Sequence, residues 1–302
     1  MLKDAQEILT VLNNNNCEAY IVGGFVRDFL LKRPPKDVDI TTSATLDDLK
    51  RFFPSADFRY GNYNVAIIKR GELEFFITSY RKEGKYIKAR KPKKVKAIKD
   101  LKKDLLRRDF TINSLVMDKD GNIYDMLGAK EDLERKIIRT IGNPKKKFRQ
   151  DALRMLRAIR FATTLDFEIE KRTKKAIVNK GKLIKKISFE RKKGELDKIF
   201  QQRRGIDLLI ETNLYKYLPG FKLEILKNIK QTSYPIGVWA QLNISDEEYK
   251  KWTLTNQEIK IIKMINNLVK RTTITEYEMY LNGLDVSIIA GEILGFDPIE
   301  IN

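Results

Sequence analysis

Ala19-Tyr20-Ile21-Val22-Gly23-Gly24-Phe25-Val26-Arg27-Asp28, followed by Asp37-Val38-Asp39-Ile40, is the stretch on which the reading of this chain turns. Ala19 to Val22 is a short run of strand-forming residues that stops at two glycines. From Phe25 to Leu31 the spacing becomes helical. The glycines let a ligand approach the backbone closely, and the helix start behind them offers unpaired N–H groups to a phosphate. Arg27, one turn in, adds a bidentate phosphate donor. The pattern is not G-x-x-x-x-G-K-[ST], so a Walker-type loop is excluded. In Asp37-Val38-Asp39 the period of two places both carboxylates on one strand face and Val38 on the other. Two carboxylates so placed suit a hard divalent cation, typically Mg²⁺, and paired metals can activate a hydroxyl and clamp a phosphoryl group. The expectation is a phosphate site beside a metal site.

Working outward, the first 140 residues alternate in period. Leu2, Ala5, Ile8, Leu9 and Leu12 form a helical stripe, and Thr45 with Asp48 makes a capping box that opens a helix through Phe53. Tyr63–Lys69 and Leu73–Tyr80 read as strands of a hairpin around Arg70-Gly71. Beyond about residue 140 the pattern is helical, with stretches predicted at 171–179, 189–200, 205–217, 246–252, 256–270 and 284–294. Pro144, Pro219-Gly220 and Pro235 punctuate it.

Composition narrows the chemistry. The chain has 302 residues, 60 basic against 41 acidic, for a net charge of +19. Residues 82–108 and 171–193 each carry a net +10, whereas 240–302 carry −4. Such a gradient points the first two thirds of the chain at a polyanion, most simply nucleic acid. There is no histidine and a single cysteine, Cys17. That removes Ser-His-Asp and Cys-His catalysis, His-ligated zinc, internal disulfides and imidazole bases. No apolar stretch suits a membrane span and no long signal core opens the chain, so a soluble cytoplasmic protein is expected.

The quoted stretch resembles the signature of class II tRNA nucleotidyltransferases, the CCA-adding enzymes and their relatives the bacterial poly(A) polymerases. Further blocks follow in that family's order. Arg107-Arg108-Asp109-Phe110-Thr111-Ile112-Asn113 is similar to its ribose-recognition motif, and Tyr124-Asp125-Met126-Leu127-Gly128 to its hinge motif. Gln150-Asp151-Ala152-Leu153-Arg154-Met155-Leu156-Arg157-Ala158-Ile159-Arg160-Phe161 resembles the base-recognition motif. Ser188-Phe189-Glu190-Arg191, with Glu195-Leu196, resembles the helix that buttresses it. The likeness covers about residues 19–200. Asn282-Gly283-Leu284-Asp285 and Leu294-Gly295-Phe296-Asp297-Pro298 look like the tail motif, with a tail that is shortened.

The resemblance implies an α+β protein: a polymerase-β-like nucleotidyltransferase head over 1–140, a helical neck over 141–200 that reads the base, and a helical body with short tail over 201–302 that binds tRNA. It implies template-independent addition of C, C and A to the 3′ end of tRNA from CTP and ATP. Asp37 and Asp39 would be catalytic and hold Mg²⁺. Gly24, Arg27, Arg108, Asp109 and Asn113 would bind the nucleotide. Asp151 and Arg154, three apart on one helix face, would read the amino group and neighbouring ring acceptor that cytosine and adenine share. Arg157 and Arg160 continue that spacing as a basic stripe, also assigned to the nucleotide. The rivals are a poly(A) polymerase or A-adding enzyme of the same superfamily, and a non-catalytic RNA-binding protein on this fold. Three positions depart from the family pattern: Gln150 stands for Glu, Phe76 for a third carboxylate, and Lys88 for an acidic residue of the loop that switches from C to A addition. Glu74 is the nearest acidic residue to Phe76. Trp239, Trp252, Tyr215 and Tyr217 are expected in the core more than on RNA.

Overall fold

The computed structural model describes residues 1–35, 37–60, 64–84, 95–271 and 274–296, with the backbone of 86–87 and 91–92. The chain divides into two compact units, Met1–Gln150 and Asp151–Asn302.

The first unit is a mixed sheet with helices. In order it runs α1 (Leu2–Asn14), β1 (Ala19–Val22), α2 (Gly24–Leu30), β2 (Val38–Thr42), α3 (Leu46–Phe52), β3 (Val65–Arg70), β4 (Leu73–Ser79), β5 (Arg81–Glu83), β6 (Tyr86–Ile87), β7 (Lys91–Pro92), β8 (Val95–Ala97), α4 (Leu101–Arg107), β9 (Val116–Met117), β10 (Ile123–Tyr124), α5 (Ala129–Glu134), β11 (Ile137–Ile138) and α6 (Pro144–Gln150). Six strands form one sheet in the order β10-β9-β1-β2-β4-β3. All its pairings are antiparallel except β2 with β4, which are parallel and joined through α3 and β3. This register sets Asp39 opposite Val22 on one side and Phe76 on the other. Ala5, Ile8, Leu9 and Leu12 of α1 are fully buried, as the stripe predicts. The Thr45–Asp48 capping box is present in both directions. The hairpin β3–β4 has the expected turn at Gly71, whose φ of +59° suits glycine.

The predicted strands and helices of this unit recur within a residue or two, and Tyr63 lies outside the described residues. The helix α4 went unpredicted. Its charges, Lys102, Lys103, Asp104 and Arg107, hide the apolar pair Leu101 and Leu105 that it buries against Val22, Tyr80 and Val116.

The second unit is helical. It runs α7 (Arg154–Leu165), β12 (Glu168–Ile169), α8 (Lys171–Lys180), α9 (Phe189–Ile199), α10 (Arg203–Glu211), α11 (Leu223–Asn228), α12 (Pro235–Gln241), α13 (Asp246–Lys251), α14 (Asn256–Val269), α15 (Glu276–Asn282) and α16 (Leu284–Leu294). Its core holds an aromatic cluster of Phe189, Phe200, Phe221, Trp239 and Trp252, with ring centroids 4.9–6.1 Å apart. Each indole N–H is satisfied, Trp239 Nε1 donating to Asp197 Oδ1 at 2.8 Å and Trp252 Nε1 to the Pro219 carbonyl at 3.1 Å. Trp239, Trp252 and Tyr215 are thus buried, as expected, rather than offered to RNA. The helix predicted over 205–217 is broken: α10 ends at Glu211, and Asn213 takes φ +55° before a 3₁₀ turn at Leu214–Tyr217. Pro235 does not interrupt a helix but starts one, because proline at the first helical position loses no intrahelical bond. No helix among the described residues is long and apolar enough to cross a membrane.

Candidate active site

In the first unit the site is built at the start of β2, the end of β1 and the turn into α2. Val38 is buried and Asp37 and Asp39 are both exposed, so the carboxylates share the solvent face as period two requires. Gly23 caps α2 with φ +82° and ψ −128°, a conformation open only to glycine. A methyl group placed on Gly23 would lie 3.8 Å from Arg108 Nη1 and 4.0 Å from Asp39 Oδ2. The glycine, the Asp39 carboxylate of β2 and the arginine therefore converge on one small region. Arg108 Nε is buried there with no hydrogen-bond partner. Burial, then the neighbouring Arg107, pull the Arg108 guanidinium pKa down, and Asp104 and Asp39 pull it back up. A buried donor left unpaired in the protein is a fit for an anionic ligand.

A chain of side chains leads away from this point. Arg27 donates through Nε and Nη2 to the two oxygens of Asp28, at 2.9 Å each, and through Nη1 to Asn113 Oδ1 at 2.7 Å. Asn113 Nδ2 donates to Asp109 Oδ1 at 3.2 Å, which also accepts the Phe110 backbone N–H at 2.8 Å. Arg27, Asp109 and Asn113 are each nine-tenths buried. Gly24 lies against the Arg27 guanidinium, a methyl there falling 3.7 Å from Nη2. Five of the expected nucleotide residues, Gly24, Arg27, Arg108, Asp109 and Asn113, are thus brought together with Asp39.

Asp104 was missed by sequence reading. It is fully buried on α4 and accepts from Arg107 Nε at 2.8 Å, the Arg81 backbone N–H at 3.1 Å, Arg108 Nη2 at 3.3 Å and Thr41 Oγ1 at 3.4 Å. Burial pushes its carboxyl pKa up, but the charges of Arg107 and Arg108 outweigh that and hold it below the usual range. Its place three and four residues before two arginines was the available signal.

A divalent cation fits the two same-face carboxylates. Mg²⁺ keeps several waters and is commonly held by one or two carboxylates plus substrate phosphates. Phe76, the strand partner of Asp39, contributes no oxygen. Glu74, two residues from Phe76 on β4, is exposed and paired with Lys69 at 3.0 Å. No group of three or more acidic or cysteine ligands occurs among the described residues. Lys88 lies outside them.

In the second unit the expected placement of Asp151 needs correction. Asp151 is not on the helix of Arg154. It sits in the break before α7, where its Oδ1 accepts the Leu153 N–H at 3.1 Å and its carbonyl the Arg154 N–H at 3.3 Å. A short polar side chain there satisfies N–H groups at the helix start, which stops the preceding helix from running on. Arg191 of α9 reaches Asp151 Oδ2 at 3.4 Å. Arg154 is largely buried at the head of α7. Arg157 and Arg160 are not a solvated stripe: Glu195 of α9 lies 3.9 Å from the first and 3.1 Å from the second, and both guanidinium groups stack on Phe161. The pairing of α9 with α7 is the buttress that the sequence suggested.

Residues 19–139 match the poly A polymerase head domain family, and residues 166–224 match the probable RNA and SrmB-binding site of polymerase A. A CCA-adding enzyme of Anoxybacillus flavithermus is 38% identical over 274 residues, covering 86% of this chain and 69% of the relative. One from Bacillus pumilus is 39% identical over 280 residues, covering 87% and 70%. The crystal structure of the Bacillus stearothermophilus CCA-adding enzyme in complex with CTP superposes with a TM-score of 0.87 at 31% identity, covering 98% of this chain and 79% of that one. With these identities spread over both compact units, and with the head and RNA-binding families matched in order, the chain belongs to the CCA-adding enzyme family.

Proposed function

We propose that this protein is a tRNA nucleotidyltransferase that adds C, C and A to the 3′ end of tRNA from CTP and ATP, without a nucleic-acid template. The relatives are named for that activity, one is solved with CTP, and another with ATP. They do not favour the poly(A) polymerase alternative. The observation that carries the site assignment is the convergence of Asp39, Arg108 and the methyl-free face of Gly23.

In this reading Asp37 and Asp39 hold the divalent cation, taken to be Mg²⁺. When bound, it supplies activation of the tRNA 3′-hydroxyl and neutralises charge on the triphosphate. Arg108 offers its unpaired N–H to the triphosphate, and the Gly23-Gly24 turn lets the ligand approach the backbone. Asp109 and Asn113 hold the ribose hydroxyls, with Arg27 fixing the Asn113 amide. Asp151 accepts the amino proton of cytosine or adenine, and Arg154 donates to the adjacent ring acceptor. Arg157 and Arg160 act with Glu195 to hold α7 in place for that reading. No imidazole base is needed.

Residues 1–140 serve as catalytic head, 141–200 as base-reading neck and 201–302 as tRNA-binding body. Exposed Lys171, Arg172, Lys175, Lys182, Lys185 and Lys186 are positioned to meet RNA phosphates. Because tRNA, CTP and ATP meet in the cytoplasm, we place the activity there. The test is single-nucleotide incorporation on tRNAs ending at the discriminator base, at C and at CC. CTP alone should extend the first two, and ATP alone the third. Runs of A on every substrate would favour a poly(A) polymerase, and no incorporation with Mg²⁺ a binding protein.

A further inference from the structure

We infer that Asp104 and Lys147 are positioning residues that index Arg108 to the catalytic strand. This rests on the reading that Arg108 contacts the nucleotide. Arg108 caps the C-terminus of α4, and its Nη2 donates to Asp104 Oδ2 at 3.3 Å. The same carboxylate oxygen accepts Thr41 Oγ1 at 3.4 Å, and Thr41 lies two residues beyond Asp39 on β2. One buried carboxylate therefore links the arginine to the strand that carries the metal-binding aspartate. Its other oxygen takes Arg107 Nε and the Arg81 N–H.

Lys147 holds the same residue from the backbone side. Lys147 is nine-tenths buried, and its Nζ donates to the carbonyls of Leu106 at 2.7 Å and Arg108 at 2.6 Å. These carbonyls lie at the C-terminus of α4, where orphan acceptors and the helix dipole favour a cation. Asp104 thus fixes the guanidinium, and Lys147 the peptide unit it hangs from. Neither touches the reacting atoms.

The experiment measures kcat and KM for CTP and ATP, and tRNA affinity, in Asp104→Asn, Lys147→Met, Thr41→Val, Arg108→Ala and the Arg108→Ala combinations of the first two. Misplacing a catalytic contact by about 1 Å can cost about 10²-fold. Asp104→Asn and Lys147→Met should each lower kcat/KM for nucleotide by about 10- to 100-fold, with tRNA affinity unchanged. Thr41→Val, which keeps every charge, should give a smaller loss in the same direction. Added to Arg108→Ala, either change should cost little more, because the residue it positions is gone. Full additivity with Arg108→Ala, or a loss of tRNA affinity in step with activity, would overturn the inference by showing a merely structural role. If Arg108→Ala leaves nucleotide kinetics intact, the underlying reading of Arg108 fails instead. Should Asp104→Asn fail to fold, Lys147→Met and Thr41→Val decide the matter.

Discussion

Lys192 allows the energetics to be tested with a sign and a size. It lies on α9, 2% exposed, with Nζ 3.8 Å from the Phe189 ring centroid and 5.1 Å from that of Trp252. Among the described residues no carboxylate pairs with it. Burial pushes its pKa down from 10.5 to about 8. A shift of about 2.5 units at about 1.36 kcal/mol each costs about 3 kcal/mol when the amine is charged in the folded state. The two rings return about 1–2 kcal/mol through cation–π attraction. Lys192→Met, which keeps the stem and removes the charge, should therefore stabilise this unit by about 1–2 kcal/mol at pH 7. The pH dependence follows from the depressed pKa. Below pH 8 both states are protonated and the penalty is complete. Between pH 8 and 10.5 the unfolded chain holds more protons, so native stability rises with pH, and the advantage of the variant shrinks. Urea unfolding followed by tryptophan fluorescence reads it directly, since the only two tryptophans, Trp239 and Trp252, flank the site. A variant less stable at pH 7, with a difference that does not change up to pH 10.5, would show that the buried charge of Lys192 carries no such penalty.

Gly23→Ala should cost about 1–3 kcal/mol in backbone strain at φ +82°, since the methyl itself meets Arg108 and Asp39 only at van der Waals distance, and any relaxation of the turn should lower incorporation as well; thermal unfolding and nucleotide kinetics together check it. Asp151→Ala should admit UTP or GTP, because the half-buried carboxylate that would face their carbonyl group, a mismatch of about 1–3 kcal/mol, is gone; incorporation of each triphosphate singly reads this. A variant that keeps its preference for C and A at reduced rate would place base reading elsewhere. Affinity for tRNA should fall steeply with salt, and Lys182→Ala with Lys185→Ala should shallow the log–log slope by about 1–1.5, at about 0.7 per phosphate on a single strand.

What could be read from the sequence was what is local. The period-two strand puts Asp37 and Asp39 on one face, and the capping box at Thr45 and Asp48 is set by three residues of spacing. Gly23 announces its turn because nothing else adopts that backbone. The resemblance carried the rest of the active-site roster, and Arg27, Asp109 and Asn113 do form one network. What stayed hidden depends on distant partners. Asp104 and Lys147 read as members of a basic stretch until Thr41 and the Arg108 carbonyl are seen beside them. Lys192 belongs by composition to a segment of net +10, yet the fold turns it inward onto Phe189. Asp151 fits a helical spacing with Arg154, but its side chain competes for the Leu153 N–H and ends the helix instead.

Asp37 and Asp39 are assigned to nucleotide transfer to tRNA. The most direct measurement is single-turnover incorporation of labelled CMP onto tRNA ending at the discriminator base, with Mg²⁺, by the native chain and by Asp37→Ala and Asp39→Ala, beside tRNA affinity for all three. Loss of a catalytic electrostatic group costs about 10²-fold or more, so each variant should lose at least that in rate while binding tRNA as the native chain does. Native-like incorporation by either variant would contradict the account.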